Sequence, residues 1–160
     1  MAVFLRKLLR IGRLPDEMRA AAEAEGILHL SECVPVTRRF TGSIPGKRAT
    51  GSVSGYTGAL VLTRERVLAT LSTVPGLAGR TIDQRWDAPA DGPVSVEVAP
   101  DGLHFEVDVS QVDPRSRGHL SLHYRSDIGD DVLAALPTRS LAFHVPPEWV
   151  FRAVGVPYRP

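Results

Sequence analysis

Hydrophobic and polar residues alternate most cleanly over residues 94–109. Val94, Val96 and Val98 alternate with Ser95 and Glu97, and Leu103, Phe105, Val107 and Val109 alternate with His104, Glu106 and Asp108. A period of two marks a strand with one buried face. The connection Ala99-Pro100-Asp101-Gly102 is turn chemistry. If Val98 faces Leu103, then Val96 meets Phe105 and Val94 meets Val107, while Glu97 meets His104 on the opposite face. One register satisfies every position, which predicts a half-buried hairpin. A second hairpin is predicted from Gly58–Thr63 and Val67–Ser72, turning through Arg64-Glu65-Arg66. Both of its faces are apolar (Leu60, Val61, Leu62, Val67, Leu68, Leu71), so it belongs in the centre of a sheet covered on both sides. Further strands are expected over Arg80–Trp86 and His119–Arg125. In the latter, Leu120, Leu122 and Tyr124 share one face and His119, Ser121 and His123 the other.

Helical signals flank this β region. In residues 15–25, Pro15 suits a first helical position, Asp16 and Glu17 favour the positive end of the dipole, Ala20 to Ala22 are strong helix formers, and Gly26 suits a C-cap. Residues 126–137 predict a second helix. Ser126 or Asp127 serves as cap, Asp130 and Asp131 lie in the first turn, Ile128, Val132, Ala135 and Leu136 form the apolar stripe, and Pro137 is the stop. In the last segment, 147–154 has the composition of two helical turns. Three parts follow: a basic amphipathic segment and helix over 1–26, a β region with its closing helix over 27–137, and an apolar, Pro-rich tail over 138–160. The expected fold is mainly β (α+β). It is a small antiparallel β-barrel or orthogonal sandwich of six to seven strands, with an N-terminal helix and a C-terminal capping helix.

Composition narrows the class. The chain has 160 residues with 43% hydrophobic content, enough for one ordinary domain to bury a core unaided. Its one cysteine, Cys33, excludes a disulfide framework and any multi-cysteine zinc site. Nineteen Lys and Arg against 18 Asp and Glu leave a net charge of +1, without the footprint of a nucleic-acid-binding protein. The N-terminal apolar run is broken by charge at Arg6 and lacks the h-region of an export signal. Together with a lone cysteine, this points to the cytoplasm. The Arg, Ala and Gly content suggests a GC-rich bacterial source.

The segment Gly55-Tyr56-Thr57-Gly58-Ala59-Leu60-Val61-Leu62-Thr63-Arg64-Glu65-Arg66-Val67-Leu68 resembles the strand-turn-strand signature of GRAM and bacterial PH-like domains. The likeness rests on these residues in detail and extends over 27–137 in organisation. It implies a small non-catalytic binding module that attaches to phosphoinositides, anionic membranes or protein partners. In lipid-binding PH domains, basic residues in the loop joining the first two strands hold the phosphates. The matching residues here are Arg38, Arg39, Lys47 and Arg48, with Arg64 and Arg66 as neighbours. No cofactor is implied.

The candidate chemistry is otherwise spare. No acid lies between Val34 and Arg64, so the basic loop is a candidate anion site. Arg6, Lys7, Arg10 and Arg13 oppose Phe4, Leu5, Leu8, Leu9 and Ile11 on a helical wheel. That arrangement suits either an anionic membrane surface, at its inner face, or docking on the protein's own barrel. Eight acids and one base between Asp83 and Asp113 give an opposing negative zone. His119 and His123 share a strand face and His104 faces outward on another strand, so three imidazoles with Glu97 or Glu106 nearby could chelate; but four residues along a strand separate His119 from His123 by about 13 Å, too far for one ion, so a metal site is not expected. Gly42 to Arg48 is one residue short of a phosphate loop and lacks its magnesium-binding hydroxyl. There is no Gly-x-Ser-x-Gly elbow, which leaves a small enzyme only as an unrecognised constellation. Trp149 and Phe151 in the tail either cover the barrel or dock on a partner or a second copy.

Overall fold

The computed structural model describes residues 13–72, 78–158 and 160. The elements run α1 (Asp16–Glu25), β1 (Ile27–Ile44), β2 (Lys47–Thr63), β3 (Arg66–Ser72), β4 (Ala78–Arg85), β5 (Val94–Ala99), β6 (Gly102–Asp108), β7 (Arg117–Arg125), α2 (Asp130–Ala135), β8 (Ser140–Phe143) and α3 (Pro147–Val154). A short 3₁₀ turn, Val109–Gln111, follows β6. The eight strands form one antiparallel sheet in the order β4-β3-β2-β1-β7-β6-β5-β8, rolled into a nearly closed barrel. Among the described residues no helix is long and apolar enough to cross a membrane.

Strand β1 joins the two halves of the sheet. It spans 18 residues and pairs with β2 from end to end, but with β7 only from Val36 to Ser43. A register shift between Ser31 and Val34 lies beside Cys33, whose φ of 56° is positive. A bulge of this kind bends a strand and strengthens its twist, which lets one strand serve two differently oriented half-sheets.

The hairpin of β5 and β6 has the register read from the alternation: Val98 faces Leu103, Val96 faces Phe105, Val94 faces Val107 and Glu97 faces His104. Phe105 is fully buried. The β2–β3 hairpin is covered on both faces. Leu60, Leu62, Val67 and Ala69 enter the main core, while Ala59, Val61 and Leu68 meet Leu14, Met18 and Ala22 across the other face. Helix α1 therefore lies on the outside of the barrel. Glu32 fixes its start, accepting from the Leu14 N–H at 2.8 Å and pairing with Arg19.

The C-terminal third departs from expectation. The predicted helix 126–137 shortens to α2, because Ser126 engages His29 (Oγ to Nε2, 2.7 Å) and neither it nor Asp127 caps. Its core-facing residues are Ile128, Leu133 and Leu136, with Val132 half-buried beside them, while Ala135 is exposed. Ser140–Phe143, expected within a tail, pairs with β5 as an eighth strand. The capping role falls to α3. Its Val150, Phe151, Ala153 and Val154 are buried, and Trp149 stacks on Phe105 with centroids 4.6 Å apart.

Phe105 thus supports β8 and α3 together, since Phe143 meets it edge-on at 6.5 Å. Phe105→Ala is expected to lower unfolding stability by roughly 3–5 kcal/mol, while Glu106→Ala, its outward neighbour, changes it by less than about 0.5 kcal/mol. Urea unfolding monitored by tryptophan fluorescence measures both. Equal effects would contradict the inward placement of Phe105.

Candidate functional site

The basic residues singled out in the sequence divide by strand parity. On β1, Val34, Val36, Arg38 and Phe40 all point inward and are buried. Arg38, expected on a phosphate-holding loop, is therefore corrected to an interior position at 1% exposure. Its Nη1 donates to the Val154 carbonyl at 2.7 Å, and its Nη2 donates to Ser52 Oγ at 2.9 Å and Ser54 Oγ at 2.7 Å. The guanidinium also stands 6.0 Å from the Tyr56 ring centroid.

What Arg38 binds is the C-terminal end of α3. The last carbonyls of a helix need partners, and its dipole favours a cation there. Gly155, at φ 91°, closes the helix with bonds from its N–H to the Phe151 and Arg152 carbonyls. Tyr56 Oη reaches the Ala153 carbonyl at 3.5 Å, and Lys47 Nζ reaches Val154 O at 3.4 Å beside Arg38. Lys47 is half-buried by this contact. Every terminal carbonyl of α3 is thereby satisfied, and two of the predicted anion-site cations are used in docking the helix.

The remaining predicted cations separate further. Arg64 and Arg66 flank the β2–β3 turn, at the opposite end of β2 from Lys47 and Arg48, so they are not neighbours of the β1–β2 tip. Arg66 is held by Glu25 at 2.7 Å and Asp83 at 3.3 Å, and the bond to Glu25 raises its pKa above the ordinary arginine value. Arg64 is exposed. Arg13 is exposed and lies 4.0 Å from Glu32, while Arg6, Lys7 and Arg10 fall outside the described residues. Phe151 is fully buried, with Arg115 over its ring at 5.8 Å, and Trp149 is half-buried on Phe105. The apolar tail covers its own barrel, so Phe151 offers no surface to a partner.

Two predicted cations face outward: Arg39 and Arg48. Arg48 is the cross-strand partner of Ser43, and Ser43 is in turn the partner of Arg117 on β7. Register partners project to the same face. Arg48, Ser43 and Arg117 therefore form a row across three adjacent strands, two guanidinium groups flanking a hydroxyl. A shallow groove of about 340 Å³ runs beneath them, lined by Thr41, Gly42, Ser43, Arg48, Ala49, Thr50 and Arg117. Its floor depends on two glycines. A Cβ at Gly42 would stand 2.0 Å from the Arg117 carbonyl, and one at Gly118 would stand 2.0 Å from the Thr41 carbonyl. Arg39 lies on the same outer face two alternations back, about 13 Å along β1. Among the described residues, none of Arg39, Arg48 and Arg117 has an ion pair or side-chain hydrogen bond. Arg117 was missed by sequence reasoning because only the β1–β7 register brings it beside Ser43.

A second polar cluster lies on the same outer surface, toward β5. His104 and His123 are cross-strand partners on β6 and β7, with rings stacked at 4.2 Å. Asp101 Oδ1 bonds His104 Nε2 at 2.9 Å, and this bond holds the Asp101 carboxyl below the usual carboxylate range. His29, by contrast, is half-buried, and burial lowers its pKa. No protein-family profile matches the chain, no curated protein matches it, and no solved structure matches it.

The division of the cations makes a direct prediction. Arg38→Ala leaves Val154 O with only the longer contact from Lys47 and two serines without their charged donor, and is expected to lower stability by about 2–4 kcal/mol, whereas Arg39→Ala changes it by less than about 0.5 kcal/mol. Denaturant midpoints measure the difference; equal midpoints would contradict the placement of Arg38.

Proposed function

We propose that the protein is a non-catalytic binding module of the PH/GRAM-like type that holds an anionic headgroup on the outer face of β1, β2 and β7. The carrying observation is the Arg48–Ser43–Arg117 row. Two guanidinium groups flanking a hydroxyl, with no carboxylate to neutralise them among the described residues, form a receptor for phosphate oxygens. Arg39 extends the positive surface along the same strand.

Three further features support this reading. An antiparallel barrel with a C-terminal helix packed against it is the architecture that the resemblance implies. Val53, the cross-strand partner of Arg39, is 56% exposed, and an apolar side chain beside arginines suits the boundary between headgroups and acyl chains. The acids Glu97 and Glu106 lie on β5 and β6, away from the β1–β2 tip, whereas Asp108 stands opposite His119 at the same end of the sheet as Arg117, so the tip's positive charge is carried on β1, β2 and the start of β7. Attachment to the inner face of a membrane is the corresponding location. Assembly through the apolar tail has less support, because Phe151 is buried in the barrel and Trp149 is half-buried against Phe105.

Each arginine near an anionic bilayer contributes about 1 kcal/mol. The charge-reversing pair Arg48→Glu and Arg117→Glu is therefore expected to weaken binding to phosphoinositide-containing vesicles by at least about tenfold at low salt. Vesicle sedimentation against neutral phosphatidylcholine measures this. Equal sedimentation of the wild type with both vesicle types, or an unchanged double variant, would overturn the proposal.

A further inference from the structure

We propose that Asp101, His104 and His123 form a binding site for one divalent transition-metal ion of the zinc class. The site is independent of the anion-binding face and does not rest on the proposed headgroup.

The construction begins with a turn. Gly102, at φ 127°, opens β6, and a Cβ there would stand 1.9 Å from the Tyr124 carbonyl. Only glycine lets the β5–β6 turn lie this close to the end of β7. Two backbone bonds then pin the turn to the chain beyond β7: Ser126 N–H to the Asp101 carbonyl at 3.2 Å, and Ile128 N–H to the Pro100 carbonyl at 3.0 Å. The Asp101 main chain is thus held beside the end of β7, from where its carboxylate reaches the two histidines.

The histidines arrive by register. His104 and His123 face each other directly across β6 and β7, where opposing Cβ atoms lie about 5 Å apart. Both rings address the same carboxylate through Nε2: His104 at 2.9 Å from Oδ1 and His123 at 3.6 Å from Oδ2. His123 Nε2 also lies 3.2 Å from the Asp101 carbonyl oxygen. One ligand atom from each residue falls within 4.8 Å of the other two, the spacing a single small ion needs. The imidazoles stand stacked, 15° from parallel, so both rings must turn out of the stack for their in-plane Nε2 lone pairs to converge on one ion.

The donor set selects the ion. Two imidazole nitrogens and one carboxylate oxygen suit zinc and its neighbours, while calcium and magnesium require oxygen shells. A neutral imidazole moves its proton from Nε2 to Nδ1 to present the Nε2 lone pair, so binding needs no net loss of a proton from the rings. The carboxylate supplies one negative charge. Glu97, the cross-strand partner of His104, and Glu106 line an adjoining groove of about 310 Å³ and add to the local negative potential. The three ligands are solvent-accessible, with side-chain exposures of 62% for Asp101, 41% for His104 and 26% for His123. A fourth coordination position therefore faces water. His119, on the same face of β7, is outside the cluster, as the strand spacing requires.

The test is calorimetric titration of the full chain with Zn²⁺ after chelator treatment, together with NMR of the histidine rings. The expected result is saturable binding of one ion per chain, no binding of Mg²⁺ or Ca²⁺, and affinity that falls on acidification because the ligands must be deprotonated. His104→Gln and His123→Gln should each weaken binding by at least about tenfold. In the wild type, the ring signals of His104 and His123 should move on Zn²⁺ addition while those of His29 and His119 stay in place; this readout holds even where a variant fails to fold. Absence of saturable binding, ring shifts at other histidines, or full retention of affinity in a folded His104→Gln/His123→Gln protein would overturn the site.

Discussion

One strand carries the organisation of this molecule. β1 hydrogen-bonds to β2 along its whole length and to β7 along its second half, so each half of the barrel is built against it. Because side chains alternate along a strand, β1 delivers neighbouring residues to opposite environments. Arg38 enters the interior, where it receives the end of α3, and Arg39 faces solvent. A buried guanidinium with no carboxylate partner among the described residues is costly to desolvate. The Val154 carbonyl, the two serine hydroxyls and the negative end of the α3 dipole offset that cost. The helix and the arginine support each other: without α3 the arginine keeps only the Ser52 and Ser54 hydroxyls, and without the arginine the Val154 carbonyl keeps only the longer contact from Lys47.

The outer surface follows from the same geometry. Reading across the sheet, Ser95, Glu106, Ser121 and Arg39 are successive register partners, as are Glu97, His104, His123 and Thr37. The outer face passes from carboxylates on β5 and β6, through histidines on β6 and β7, to arginines on β1 and β2. A chain with a net charge of +1 thereby presents a graded surface, negative at one side and positive at the other. The two candidate sites occupy its middle and its positive side, and neither requires a deep cavity.

The sequence made some of this legible and concealed the rest for a physical reason. The β5–β6 hairpin could be read to the residue because turn and alternation fix a local register with one solution. The β2–β3 hairpin and the inward face of β7 were legible for the same reason. Pairings between distant segments carry no such local mark. β1 and β7 are separated by nearly half the chain, so Arg117 could not be placed beside Ser43, nor Arg38 assigned to the inner face. The His104–His123 pair was hidden likewise: spacing along β7 correctly separates His119 from His123, but the partner of His123 lies on another strand. The helix predicted over 126–137 was shortened by tertiary contacts. Ser126 and Ile128 are engaged by His29 and the Pro100 carbonyl before the first helical turn begins.

The central functional claim is that the tip of β1 and β2, together with the start of β7, receives a phosphate-bearing anion. The most direct test is titration of the isotopically labelled protein with inositol trisphosphate, observed residue by residue by NMR. The account predicts that backbone amide signals of Ser43, Arg48 and Arg117 move together along one saturating curve, accompanied by the guanidinium signals of the two arginines. Signals that stay fixed at these three positions while Arg64 or Arg115 responds, or no saturable response anywhere, would contradict it.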